Sequence, residues 1–344
     1  MRKYKLRCEL LSPIHIGTGH EIDPFDYIIG GSRLYRISFE KFVAAMSASE
    51  RGRFEAILNE GNLVEVRKYV AGNVDEKRDS IYSIKVSNVV EKLYMSKLDD
   101  VYNQLLIYPF LRAEGPYVPL IPGSSIKGAL RTAIISDIAN QSNLPRPKDT
   151  KEEYQFESKV LGYKDGKNDP FRGMRIRDAF LGEDDTIVRE VKNVSKGRKP
   201  GLQFNDIQII CEVSNSSISG RTVEFETTIY FDEELFATKY LSKTLNIEQL
   251  IKSCNTFYEA KMEYEHKKFY QTSQVENFST QLLNTKLDER SFVIRLGRFS
   301  GVESVTLDNY RNPKPPGGKG VWGTSRNLAE GLYPMGWVKV KVSD

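Results

Sequence analysis

The stretch IPGSSIKGALR, residues 121–131, holds two glycines, two serines, a lysine and an arginine in eleven positions. Such a segment suits an anion at the start of a helix. The first helical turn leaves backbone N–H groups without partners, and its dipole favours negative charge there. Glycine lets a ligand approach the backbone closely. Gly123, Ser124 and Ser125 therefore form a candidate phosphate cradle, with Lys127 and Arg131 one helical turn apart on a neighbouring face. Two nucleotide-binding patterns fail: Ala129 follows Gly128 where Walker A needs Lys-Ser/Thr, and no G-x-G-x-x-G is present. A nucleic acid backbone remains a good ligand. A capped helix with solvated basic residues fits the local sequence equally well.

Other residues could act with this segment. His15 and His20 flank the glycines of SPIHIGTGH, and a histidine there could serve as a general base toward an RNA 2′-hydroxyl. With no visible partner, a hydrogen-bonded structural histidine is the favoured reading. Arg175 and Arg177 share one face of FRGMRIRDAFL, read as a strand. Arg295 lies opposite Phe292, Ile294 and Leu296 in SFVIRLGRFSG. The Gly/Pro loop 312–323 carries Lys314, Lys319 and Trp322, and Arg326 follows. Cations interleaved with an aromatic suit single-stranded nucleic acid, although a surface loop with Trp322 turned inward fits too. Asp99-Asp100 and Asp184-Asp185 are sequence neighbours, a poor geometry for two-metal chemistry. Cys8, Cys211 and Cys254 are far apart, with no C-x-x-C, and read as buried free thiols. No metal site and no cofactor are expected.

These residues need elements to hold them. Residues 3–10 alternate, with Tyr4, Leu6, Cys8 and Leu10 on one face and Lys3, Lys5, Arg7 and Glu9 on the other: a half-buried strand. DYIIGGSRLYRIS reads as a hairpin around Gly30-Gly31. Helical patterns are read up to Gly61, over 84–106, along 121–138, and in a short run to Gly162. Ile126, Leu130, Ala133, Ile134 and Ile138 make one apolar helix face. VEFETTIYF reads as a strand, 246–283 as strongly helical, and GWVKVKV as a closing strand. Strands mixed with helices, without regular alternation, indicate an α+β protein.

The chain has 344 residues, 40% hydrophobic and 28% charged, which is a globular composition with room for two domains. The net charge of +4 permits a local basic stripe without demanding one. No apolar run approaches the ~18 residues of a membrane span, and the N-terminus does not read as a signal peptide, so a cytoplasmic protein with no membrane partner is expected.

Four blocks go further in combination. LSPIHIGTG, YVPLIPGSSIKGALRTAI, MRIRDAF and YPMGWVKV resemble the RAMP superfamily of CRISPR-associated proteins. Their order and spacing most resemble the fifth-subunit family of type III-A Csm effector complexes. The resemblance implies two ferredoxin-like, RRM-related modules with helical insertions, here divided as 1–145 and 146–344. It implies a non-catalytic subunit that caps the 3′ portion of the CRISPR RNA and assists its 3′ maturation. The implied partners are that RNA, the adjacent backbone RAMP subunit, other Csm subunits and a recruited nuclease. Carried over by motif, the RNA-contacting residues are His15, Gly17 and Gly19, with Gly123, Ser124, Ser125, Lys127, Gly128 and Arg131. Arg175, Arg177, Arg295, Lys319 and Arg326 join them from the local reading. Two alternatives stand beside this one. One is a RAMP-type endoribonuclease with His15 as base and Lys127 or Arg131 stabilising the transition state. The other is an assembly protein acting through 246–283.

Overall fold

The computed structural model describes residues 1–142, 144–196, 201–216, 220–238, 240–307, 310–311 and 323–344. Two mixed layers of helix and sheet make it an α+β protein.

The first sheet grows from the alternating N-terminal segment. Tyr4, Leu6, Cys8 and Leu10 are buried on one face of the strand Arg2–Leu10, while Lys3, Lys5 and Arg7 face solvent. Its neighbours match that parity: Phe225, Thr227, Ile229 and Phe231 on one side, Val338, Val340 and Val342 on the other, all buried. The full order is Ser291–Arg295, Trp337–Ser343, Arg2–Leu10, Glu224–Phe231, Met174–Ile176, every pair antiparallel. Two helices, Gly123–Ser142 and Ile247–Glu265, cover the apolar face. Ile126, Leu130, Ala133 and Ile134 from the first, and Leu250, Cys254, Phe257 and Tyr258 from the second, fill the core. Each such side chain stabilises the fold by roughly 1.5–3 kcal/mol for the larger aliphatic and aromatic groups. Followed along the chain, the layer runs strand, helix, strand, strand, helix, strand, strand, the last strand inserted between the first strand and Ser291–Arg295.

The second sheet has the order Tyr333–Pro334, Ser325–Ala329, Thr186–Lys196, Ser80–Val86, Arg33–Ile37, Tyr27–Gly30. Leu202–Ser214 pairs with Thr186–Lys196, and with Ile107–Tyr108. The expected hairpin is present, its turn made by Gly31 and Ser32, both at positive φ (57° and 60°) as a tight two-residue turn requires. Three helices, Phe39–Ala44, Ala48–Asn59 and Leu63–Asn73, follow it and pack around Phe42, Phe54, Val66 and Val70.

Four expectations change. The pattern over 84–106 divides into the strand Ser80–Val86 and the helix Asn88–Lys97, because Ser87 caps the helix by accepting from Val90 N–H. FRGMRIRDAFL is two short strands in different sheets, Met174–Ile176 and Ala179–Phe180. The segment 246–283 is broken by a π turn at His266–Tyr270 before Glu276–Leu283 resumes. The cut at 145/146 does not separate modules, since each of the two large sheets takes strands from both sides of it.

The loop after the first strand stitches the layers together. Ser214 N–H donates to Ile14 O at 2.9 Å, and Trp337 N–H donates to Ser12 Oγ at 2.9 Å. Among the described residues, no helix is long and apolar enough to cross a membrane. Cys8, Cys211 and Cys254 are buried free thiols, and burial pushes the pKa of each up.

Candidate nucleic-acid interface

The helix start at Gly123 is already occupied. Its N–H donates to Asp178 Oδ1 at 2.7 Å, so the chain's own carboxylate sits where the helix dipole favours an anion. Ser125 and Ile126 N–H both donate to Pro122 O, at 3.0 and 3.4 Å. A Cβ on Gly123 would collide with the Ile176 carbonyl; the glycine lets the turn after Met174–Ile176 reach the helix. Lys127 Nζ donates to Met174 O at 2.8 Å, and burial lowers its pKa. Arg131 is held by Asp169 and Glu157, both at 2.9 Å, and lies 4.8 Å over the Phe171 ring. Ser124 and Gly128 are exposed. The expected cradle is thereby corrected: in this chain Gly123 and Arg131 are committed to internal partners, and the motif fastens a helix to an edge strand.

That role gives a direct contrast. Gly123→Ala is expected to destabilise the protein by about 1–3 kcal/mol, because backbone must move to admit the methyl. Gly128→Ala meets open space on the same helix and is expected to stabilise by about 0.5–1 kcal/mol. Urea unfolding of both variants measures the difference; equal midpoints would refute the fastening role.

His15 is fully buried. Its Nδ1 lies 2.7 Å from Glu212 O, and its ring sits between Phe110 and Phe299. Burial is the main reason its pKa falls to about 4, with Arg298 pushing the same way and the Glu212 carbonyl opposing. A ring sealed from solvent, with Nδ1 committed to a backbone carbonyl, does not reach bound RNA, so the reading of His15 as a base or RNA contact is corrected to a structural one. Gly17 and Gly19 are exposed in the loop above it. Gly17 has to be small, because a Cβ there would stand 2.8 Å from His15 Nε2.

Arg295 and Arg326 are also interior. Both guanidiniums bond Glu265 Oε1, at 2.6 and 2.5 Å, and Arg326 reaches Glu303 Oε2 at 2.9 Å. Arg295 lies over Trp337 and Arg326 over Phe269. The expectation that they meet RNA is corrected: their charges are neutralised inside the protein, by acids distant in sequence. Lys314, Lys319 and Trp322 lie outside the described residues.

Arg175 and Arg177 behave differently. Both are exposed, and they converge on Tyr230 of the neighbouring strand. Arg175 is the cross-strand partner of Tyr230, and the Arg177 guanidinium lies 5.3 Å from its ring centre. On the other side of Tyr230, Lys3 is paired across the strand, and Lys5 is paired with Thr228. No carboxylate forms an ion pair with any of these four cations among the described residues. The rest of the open face is more balanced. Arg7 pairs with Glu224 at 2.6 Å and Lys341 with Asp288 at 2.8 Å, while Glu9 and Glu226 add negative charge. The net positive charge therefore gathers around Tyr230. Sequence reading named Arg175 and Arg177 but passed over Lys3, Lys5 and Tyr230; the outward parity of residues 3–9 was the available signal.

The family model of the RAMP superfamily matches residues 7–298. The chain belongs to this superfamily. Curated relatives of this RAMP chain are named CRISPR system Cms protein Csm5. The one from Methanocaldococcus jannaschii is 27% identical over 151 residues, 41% of this chain and 32% of its own length. The one from Mycobacterium tuberculosis H37Rv is 23% identical over 256 residues, 65% of this chain and 66% of its own. The chain thus spans about a third and just under two thirds of those relatives. Among solved structures, a chain in the cryo-EM structure of a Csm–crRNA–target RNA ternary complex of a type III-A CRISPR–Cas system has the same fold. Its TM-score is 0.73 at 20% identity, covering 98% of this chain and 100% of that one. The crystal structure of T. onnurineus Csm5 gives 0.61 at 21% identity, covering 96% and 99%. In this RAMP protein Gly123, Lys127 and Arg131 of the PGSSIKGALR block bond the chain itself, while the edge strand it fastens and the residue after it carry the exposed arginines Arg175 and Arg177.

Proposed function

We propose that this chain is a non-catalytic, RNA-binding subunit of a type III-A Csm effector complex. It works in the cytoplasm, holds and caps the 3′ portion of the CRISPR RNA, and assists maturation of that end. The observation that carries this reading is the full-length likeness to one chain of an assembled Csm–crRNA–target RNA complex. Its partners are the CRISPR RNA, the adjacent backbone RAMP subunit and the other Csm subunits, with a recruited nuclease doing the trimming. The strand-helix-strand-strand-helix-strand path from Arg2–Leu10 to Ser291–Arg295, with Trp337–Ser343 added between its first and last strands, supports reading the first sheet as one ferredoxin-like module. The second sheet and its helices are then elaborations on that module. The burial of His15 disfavours the endoribonuclease alternative.

The test is the length of RNA that co-purifies with the assembled complex, with and without this chain. Omission is expected to leave longer or ragged 3′ ends on otherwise loaded RNA. Unchanged lengths would remove the capping reading and favour a subunit that only assembles its neighbours.

A further inference from the structure

The open face of the first sheet is a built surface with one aromatic and a local excess of positive charge. Tyr230 is half-buried, so its ring position is set by the sheet while one side stays accessible. Lys3 and Arg175 flank it as direct cross-strand neighbours, which places their Cα atoms ~4.5–5.5 Å from that of Tyr230. Arg177 stands over the ring, and Lys5 lies two residues further along the central strand. Among the described residues, none of the four cations is consumed by an ion pair, unlike Arg131, Arg295 and Arg326. Arg175 also lies near Lys127, where the edge strand meets the Gly123–Ser142 helix.

We infer that this face binds single-stranded RNA, with one base stacked on Tyr230 and the flanking phosphates neutralised by Lys3, Lys5, Arg175 and Arg177. The inference rests on the reading of the chain as an RNA-binding subunit and specifies where the RNA lies. Charge complementarity selects the ligand: a polyanion meets four unpaired cations, and a flat ring beside them offers a stacking platform that every base can use. A duplex hides its bases, so it gains from the charges but not from the ring. The acidic side of the same face, at Glu9, Glu224 and Glu226, sets the limit of the track: a strand crossing Tyr230 runs toward the edge strand Met174–Ile176, away from those carboxylates.

The experiment uses the full chain, a fluorescein-labelled twelve-residue oligouridylate and a duplex RNA of the same length. Tyr230→Ala is expected to weaken binding of the oligouridylate about tenfold and leave the duplex unchanged, while Tyr230→Phe retains both. Replacing Lys3, Lys5, Arg175 and Arg177 together with alanine is expected to lower the slope of log affinity against log salt by about 2–3, at roughly 0.7 per lost phosphate contact. These side chains are exposed or half-buried, and circular dichroism confirms that each variant is folded. Unaltered affinity and slope in folded variants, with the parent chain still binding the oligouridylate, would overturn this site alone. A parent chain that binds no oligouridylate would overturn the site and weaken the RNA-binding reading with it. Variants that bind RNA normally but no longer enter the complex would reassign the face to a protein neighbour.

Discussion

Replacing Glu265 with alanine is expected to cost about 3–5 kcal/mol of folding free energy. The argument is one of charge balance in a place without water. The side chains of Arg295 and Arg326 are each 1% exposed, that of Glu265 is 3% exposed and that of Glu303 8%. Two positive and two negative groups balance; the Arg295 guanidinium also donates to Met335 O and Ser304 Oγ, and that of Arg326 to Ser325 O. Alanine at 265 removes the carboxylate that both guanidiniums share. One positive charge is then left buried without compensation, which costs far more than the intact cluster contributes relative to an apolar replacement. Glu265→Gln keeps the shape and an acceptor oxygen but not the charge, so an intermediate loss is expected. Chemical denaturation of the three proteins measures it, and a loss below about 1 kcal/mol for the alanine variant would sink the charge-balance argument.

Acid is expected to weaken the fold in a window set by His15. Its pKa falls to about 4 in the folded protein, chiefly because the ring is buried. An exposed histidine in the unfolded chain titrates near 6.5. Between those values the unfolded chain takes up a proton that the folded one refuses, so stability rises with pH there. The contribution is therefore intact above pH ~6.5, declines as pH falls, and is fully lost near pH 4, a total of about 3 kcal/mol. Carboxylates whose pKa is lowered, such as Asp288 at about 2, act below this window. Urea midpoints of the parent and of His15→Gln across pH 7 to 4.5 provide the comparison. The variant should show a shallower decline; parallel curves would mean that the buried ring is not the source.

Both results concern residues whose types were visible in the sequence while their surroundings were not. A strand such as Arg2–Leu10 is legible because its alternation is local, and the helix Gly123–Ser142 because its apolar spacing is local. Arg295 misleads because the strand Ser291–Arg295 is buried along its whole length, and its partner Glu265 comes from a helix that precedes the strand. Arg131 misleads for the same reason: Asp169 reaches it from a turn nearly forty residues on. An arginine free to meet RNA and one neutralised inside look alike until the acids are placed. The long paired strands Thr186–Lys196 and Leu202–Ser214 carry no clean alternation of exposed and buried residues, so they leave little local signal in the sequence. The glycines of 121–131 suggest a close approach by a ligand; Gly128 meets open space, and only Gly123 is closely approached. The approaching group is the chain's own Ile176 carbonyl.

The central strand carries a consequence for how the molecule is made. Leu6 pairs with Val342, and Cys8 with Val340, so this strand waits for a segment made far later before its sheet is complete. Until then one edge of Arg2–Leu10 offers unpaired N–H and C=O groups, and its apolar face lacks Val338, Val340 and Val342. Closure of pairs so distant along the chain is slow. The newly made protein therefore passes an interval in which the half-built sheet exposes an unpaired edge and an apolar face, the two features that favour aggregation.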